Sequence, residues 1–180
     1  MQDFLRAGRE RYCLIGAIAL QRWGEPRATR DVDITLLCPF GNEAAAADRL
    51  LSKFKPRIDD ARDFAMRRRV LLLWGGDGIG VDVAFGALPF EERCVDRATD
   101  WELSPEIVLH TCSAEDLVVL KTFAGRGQDW VDINGILVRQ RQSLDWTQIV
   151  AELEPLVMLR ETPEHLDRLT QLRQKVETGG

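Results

Sequence analysis

The stretch Asp31-Val32-Asp33-Ile34-Thr35-Leu36-Leu37 constrains this chain more than any other. Its apolar and β-branched residues predict a strand, and on a strand alternate side chains share a face. Val32, Ile34 and Leu36 then point one way, while Asp31, Asp33 and Thr35 point the other. Two rises of about 3.3 Å put the two carboxylates roughly 6.6 Å apart at their Cα atoms, so the side chains can converge. Anions held this closely in a partly buried cleft repel, and one takes up a proton unless a cation answers them. Hard divalent ions, Mg²⁺ or Mn²⁺, suit carboxylate oxygens.

A lone D-x-D is commonly the solvated face of an edge strand. Two other features give this one more meaning. Val81-Asp82-Val83-Ala84-Phe85 is a second apolar strand with a single carboxylate. Laid beside the first, it adds a third oxygen donor. Gly16-Ala17 falls where a short strand passes into a helix. First-turn N–H groups and the helix dipole favour an anion there, and small side chains let a phosphate approach the backbone.

The surrounding pattern is that of a folded α/β chain. Strands are expected at 11–15 and 32–38, with a helix between them broken at Gly24-Glu25-Pro26. Asn42 is placed to cap a helix whose apolar face is Ala47, Leu50, Leu51 and Phe54, ended by Pro56. Segments 69–74 and 79–85 read as a hairpin around Gly75-Gly76-Asp77-Gly78. A phosphate-cradling loop is the competing reading, disfavoured because a strand rather than a helix follows. After a short strand at 106–111 the periodicity turns helical. Ser113 and Asp116 resemble a capping box, and further helices are expected at 129–139, at 146–153 and from Thr162-Pro163. The expected division is an α/β core over 1–112, with a mixed twisted sheet and flanking helices, and a helical bundle over 113–180.

Composition narrows the function classes. Among 180 residues, 45% are apolar and 29% charged, which excludes disorder along the whole chain. Acidic residues outnumber basic ones 29 to 24, so a broad basic surface for nucleic acid is not expected. The basic run Arg67-Arg68-Arg69 is either a local patch for an RNA or a solvated hairpin start. No apolar run reaches the ~20 residues of a membrane span. The N-terminus carries no apolar signal region, so a cytoplasmic setting without membrane contact is the expectation. Cys13, Cys38, Cys94 and Cys112 form no C-x-x-C pair and read as reduced, mostly buried thiols. His110 and His165 lack paired ligand spacing, and the five tryptophans are dispersed.

Other charged residues need partners. Arg27 and Arg30 flank the acidic strand, where guanidinium forks can hold phosphate or pair with acids such as Asp31. Lys121 follows Leu117 by four residues, which places it along an apolar helical face where its ammonium must find phosphate or carboxylate. Asp129 and Asp132 begin the next helix. Asp132 suits a structural partner for Arg126 or Lys121, and Asp129 is a candidate acid in a substrate cleft.

The stretch Leu14-Ile15-Gly16-Ala17-Ile18-Ala19, followed by Gly24-Glu25-Pro26-Arg27-Ala28-Thr29-Arg30-Asp31-Val32-Asp33, resembles the opening block of the DNA polymerase β superfamily of nucleotidyltransferases. It is most similar to the AbiEii toxin type. Asp116-Leu117, Lys121, Ala124-Gly125-Arg126, Asp129 and Asp132-Ile133 are similar to that family's downstream helical motif. The resemblance spans roughly residues 12–135. It implies an Mg²⁺-dependent transfer of a nucleoside monophosphate from an NTP, such as ATP, to a hydroxyl acceptor, with pyrophosphate released. Asp31, Asp33 and Asp82 would be metal ligands, Asp82 also serving the acceptor hydroxyl, and Lys121 a catalytic cation. Gly16, Ala17, Arg27, Arg30 and Asp129 would bind the nucleotide. The acceptor would be an RNA such as tRNA, a protein or an antibiotic, and an antitoxin protein is an implied partner. Ala17 departs from the family's Gly or Ser. It supports the alternative of a weak or inactive nucleotide-binding module.

Overall fold

The computed structural model describes residues 1–178. These fall into two compact units, Met1–Ile18 with Ala28–Cys112, and Ala19–Arg27 with the chain from Ser113 onward. The first unit holds α1 (Gln2–Ala7), β1 (Tyr12–Leu14), the start of α2 (Gly16–Trp23), β2 (Asp31–Leu37), α3 (Glu43–Leu51), β3 (Lys55–Pro56), α4 (Ala61–Arg68), β4 (Val70–Trp74), β5 (Gly80–Gly86), α5 (Pro89–Asp96), β6 (Thr99–Ser104) and β7 (Ile107–Thr111). Among the described residues the strands form one seven-stranded sheet in the order β3-β4-β5-β2-β1-β7-β6. The β2–β5 and β1–β7 pairs are parallel and the rest antiparallel, so the sheet is mixed.

Register follows from the apolar pattern. Val32, Ile34 and Leu36 of β2 lie beside Val81, Val83 and Phe85 of β5, and Leu73 and Leu71 of β4 continue the row from Val81 and Val83. Nearly all are buried, with Leu5, Ala47, Leu50, Ala61 and Ala65 of the covering helices. A slip of one residue would turn this whole set outward, so the apolar face pins the position of the polar one. The β4–β5 connection is a hairpin, as its glycines predict, with a 3₁₀ turn at Gly76–Gly78.

Some local expectations differ. α3 ends at Leu51, before Pro56. Phe54 lies beyond the helix, edge-on to Phe4 at 5.3 Å, and Pro56 belongs to the edge strand β3, where a missing N–H is tolerated. α4 has no signature in the sequence pattern, because its buried residues are only Ala61 and Ala65. α5 is likewise not expected from that pattern, although Pro89 opens that helix and Glu91 Oε2 accepts from the N–H groups of Ala87 and Leu88 at 2.7 and 2.8 Å. Of the basic run only Arg69 is taken up by the fold, and Arg67 and Arg68 stay exposed. Arg67 pairs with Asp60, and Arg69 ends α4 in the left-handed region at φ 55°. The Arg69 guanidinium donates to the carbonyls of Phe85 and Cys38 and to Glu43, and stacks on Phe40.

The second unit contains α6 (Ala114–Ala124), α7 (Gly127–Gln140), α8 (Trp146–Leu159) and α9 (Glu164–Glu177), with the latter part of α2.

 α8 thus runs through Pro155 to Leu159, beyond the expected end at 153. The expected cap of α6 is present, Ser113 Oγ accepting from the Asp116 N–H at 3.0 Å. Gly125 closes α6 at φ +64°, where a Cβ would lie 2.1 Å from the His165 ring. Gly24 lets α2 press onto α7, since a Cβ there would meet Leu20 at 2.6 Å and Ile136 at 2.9 Å. Arg139 and Gln140 close the end of α2 by donating to the carbonyls of Gly24 and Trp23. All four cysteines are buried and outside any disulfide, as expected, whereas of the tryptophans only Trp130 is buried. No described helix is long and apolar enough to cross a membrane.

Arg69→Ala should cost about 2–3 kcal/mol, because it leaves two carbonyls and the mostly shielded Glu43 without their charged donor. Urea unfolding measures this, and a loss under about 0.5 kcal/mol, the level of an ordinary surface change, would show that the clamp contributes little.

Candidate active site

The polar face of the sheet carries the carboxylates. Asp33 of β2 lies directly beside Asp82 of β5, and Asp31 beside Gly80. Adjacent strands are about 4.8 Å apart, so the parallel register supplies the close approach that the sequence pattern implied. Burial pushes the Asp82 carboxyl above the ordinary range; Arg57 opposes that rise, while the negative charges of Asp33 and Asp31 add to it. Asp31, Asp33 and Asp82 are thus brought together as three electrostatically coupled acids.

Arg57 completes the row, and the sequence reading did not find it. Its N–H donates to the Leu72 carbonyl at 3.0 Å, which continues the β3–β4 pairing and sets it in line with Leu72, Asp82 and Asp33. Nη1 donates to Asp31 Oδ1 at 2.9 Å, and Nη2 lies 2.7 Å from Asp82 Oδ1. The second contact is an ion pair without hydrogen-bond alignment, so Asp82 Oδ1 is a buried oxygen with no hydrogen-bond donor. Gly80 makes room for the bridge, since a Cβ there would fall 2.0 Å from Asp31 Oδ1 and 2.2 Å from Arg57 Nη1. The only signal in the sequence was a basic residue after Lys55-Pro56, and nothing local indicates that it reaches across two strands.

The carboxylates suit a hard divalent cation by their oxygen chemistry, and Asp82 Oδ1 is held by the Arg57 ion pair without an aligned donor. Among the described residues, however, no trio of His, Cys, Asp or Glu is already drawn around one metal position. Arg57 bridges two of the acids instead.

Gly16 opens α2 at φ +60°, and a Cβ there would lie 2.0 Å from Asp33 Oδ2. The missing side chain is therefore the space in which the Asp33 carboxylate rests, beside the helix start. Ala17 is buried. Thr29 acts as a turn residue, its hydroxyl bonded to the Asp31 backbone, and Arg30 is exposed.

The helical unit has a charge network of its own. Lys121, 5% exposed, donates to Asp132 Oδ2 at 2.6 Å and to Asp129 Oδ1 at 3.5 Å. Arg27 forks onto Asp132 through Nε and Nη2, each at 3.1 Å at its shorter contact, and Gln128 adds a bond at 2.9 Å. Asp132 therefore has the structural role expected of it. Burial raises its carboxyl, but the bonds from Arg27, Lys121 and Gln128 outweigh this and hold it below the ordinary range. Asp129, expected to face a cleft, is instead 2% exposed and caps α7, accepting from the N–H and Nε of Arg126. His165 bonds the Thr122 carbonyl and packs edge-on to Trp130.

A family model described as "Nucleotidyl transferase AbiEii toxin, Type IV TA system" matches residues 3–175. The chain belongs to this family. Two solved structures are similar to the AbiEii-family chain. An antigenic nucleotidyltransferase-like protein from Paracoccidioides brasiliensis is 18% identical, with 92% of this chain and 87% of that one covered and a TM-score of 0.48. The antibiotic-resistance factor ANT(2'')-Ia is 12% identical, with 98% and 87% covered and a TM-score of 0.39. No curated protein matches the sequence.

Two outcomes follow. Gly16→Ala should cost about 1–2 kcal/mol for its left-handed backbone and more for displacing Asp33. Gly41→Ala, also at positive φ but with open space around it, should cost only the backbone part. Equal thermal shifts would contradict the packing of Asp33 on Gly16. Asp132→Asn should cost about 3–5 kcal/mol near neutral pH, as for a broken buried pair. Because the folded carboxyl is held low, its stabilisation is full above the unfolded value of about 3.9 and is lost as pH falls through the folded value. The gap between variant and parent should therefore narrow below about pH 4. A gap that widens in acid would reverse the assignment.

Proposed function

We propose that this AbiEii-family chain transfers a nucleoside monophosphate from an NTP to a hydroxyl acceptor with Mg²⁺, or Mn²⁺, as its cofactor. The observation that carries the reading is the common face of Asp31, Asp33 and Asp82 in two parallel, adjacent strands. These three residues would hold the metal. When bound, it neutralises charge at the transferred phosphoryl and lowers the pKa of an attacking oxygen.

The chain's own residues account for the rest. Asp82 would also receive the acceptor's proton, a role that rests on the family resemblance. The acceptor oxygen forms a bond to the α-phosphorus, the bond from that phosphorus to the bridging oxygen breaks, and pyrophosphate leaves with the bond's electrons. The start of α2 at Gly16-Ala17 offers backbone N–H groups to the polyphosphate. Arg30 is the better phosphate ligand of the two flanking arginines, because it is exposed while Arg27 is bonded to Asp132. For Lys121 and Asp129, nucleotide and catalytic roles rest on the family resemblance, since each already has partners in the Asp132 and Arg126 network. The acceptor is a hydroxyl of an RNA such as tRNA, of a protein or of an antibiotic, and family membership supports an antitoxin protein as partner.

Incubation with each α-labelled NTP, together with total RNA, lysate protein or aminoglycosides, should place label on one acceptor and release pyrophosphate. The double variant Asp31→Asn with Asp33→Asn should abolish transfer while remaining folded. Undiminished transfer would exclude the site, and nucleotide binding without any pyrophosphate would favour the non-catalytic module.

A further inference from the structure

Arg57 stands where positive charge is most needed on this face. Its two terminal nitrogens engage different acids, Asp31 Oδ1 and Asp82 Oδ1, with a guanidinium side chain only 20% exposed. The contact has space prepared for it, because the Cβ that any other residue would place at position 80 overlaps both Arg57 and Asp31. The Arg57 backbone is fixed by its bond to Leu72, so the side chain alone is free to change direction. The exposed ring of Trp74 lies 6.0 Å from the guanidinium and offers it an alternative surface.

We propose that Arg57 is a positioning residue that sets the affinity of the Asp31–Asp33–Asp82 row for divalent metal, acting as an internal counter-cation that metal must displace. The inference rests on the nucleotidyl-transfer reading of the same carboxylates. A guanidinium and a divalent ion repel at contact distance and want the same oxygens, so the two compete. Only molecules with Arg57 turned away are then competent to take metal, and apparent affinity falls by that fraction. The opposite role, Arg57 holding the acids in place for metal, predicts the opposite sign, so a single titration separates them.

The test is Mn²⁺ alone, titrated into the full chain and followed by the electron paramagnetic resonance of the free ion. Arg57→Gln should bind Mn²⁺ about tenfold more tightly than the parent, the scale expected when a competing conformer holding nine-tenths of the population is removed. Arg57→Lys, which keeps the charge but cannot bridge two acids, should fall between them, and it decides the matter if Arg57→Gln does not fold. Equal or weaker binding by folded variants overturns the role of Arg57 while leaving the metal site intact. If neither the parent nor Arg57→Gln binds Mn²⁺ that adding Asp31→Asn with Asp33→Asn abolishes, both this inference and the nucleotidyl-transfer reading fall together.

Discussion

Repulsion among Asp31, Asp33 and Asp82 is the constraint on which the functional face depends. The alternation of β2 and β5 drives Val32, Ile34, Leu36, Val81, Val83 and Phe85 toward hydrocarbon, and their burial leaves the acids no other side. Each buried aliphatic side chain contributes roughly 1.5–3 kcal/mol, so the core can hold the acids close despite their mutual repulsion. The burial that raises the Asp82 carboxyl is a consequence of the same register. A fold built for stability alone would put neutral residues here.

The two charge clusters of the chain are resolved differently. Around Lys121 every charge has a close partner: Asp132 receives Arg27, Lys121 and Gln128, and Asp129 receives Arg126. That closed network ties α6 to α7 and to the loop after α2, and its acid is held ionised. On the sheet, one guanidinium bridges two acids and leaves Asp82 Oδ1 without an aligned donor. A closed network rigidifies, whereas an incompletely satisfied one carries the cost of its unpaired group.

Much of this was legible in the sequence where the signal was local. The period of two in β2 and β5, the glycine-rich hairpin, the Ser113 cap and the need of Lys121 for carboxylate partners are each set by neighbouring residues. α4 was not legible because its core contact is two alanines, whose burial gives little hydrophobic periodicity. Phe54 belonged to the apolar face in sequence but packs from beyond the helix, since α3 stops earlier than Pro56 requires. Arg57 was the larger omission. Its position follows from β3 pairing with β4 and β4 with β5, a chain of long-range contacts no local pattern encodes. Asp129 illustrates the reverse case, where an acid read for a substrate cleft also caps a helix.

The most direct test of the central claim is anomalous diffraction from crystals of the full chain grown with Mn²⁺ and a non-hydrolysable NTP. The account predicts an anomalous peak coordinated by Asp31, Asp33 and Asp82, with the polyphosphate toward Gly16. Ordered nucleotide with Mn²⁺ bound elsewhere, or a peak that touches none of these carboxylates, would contradict it.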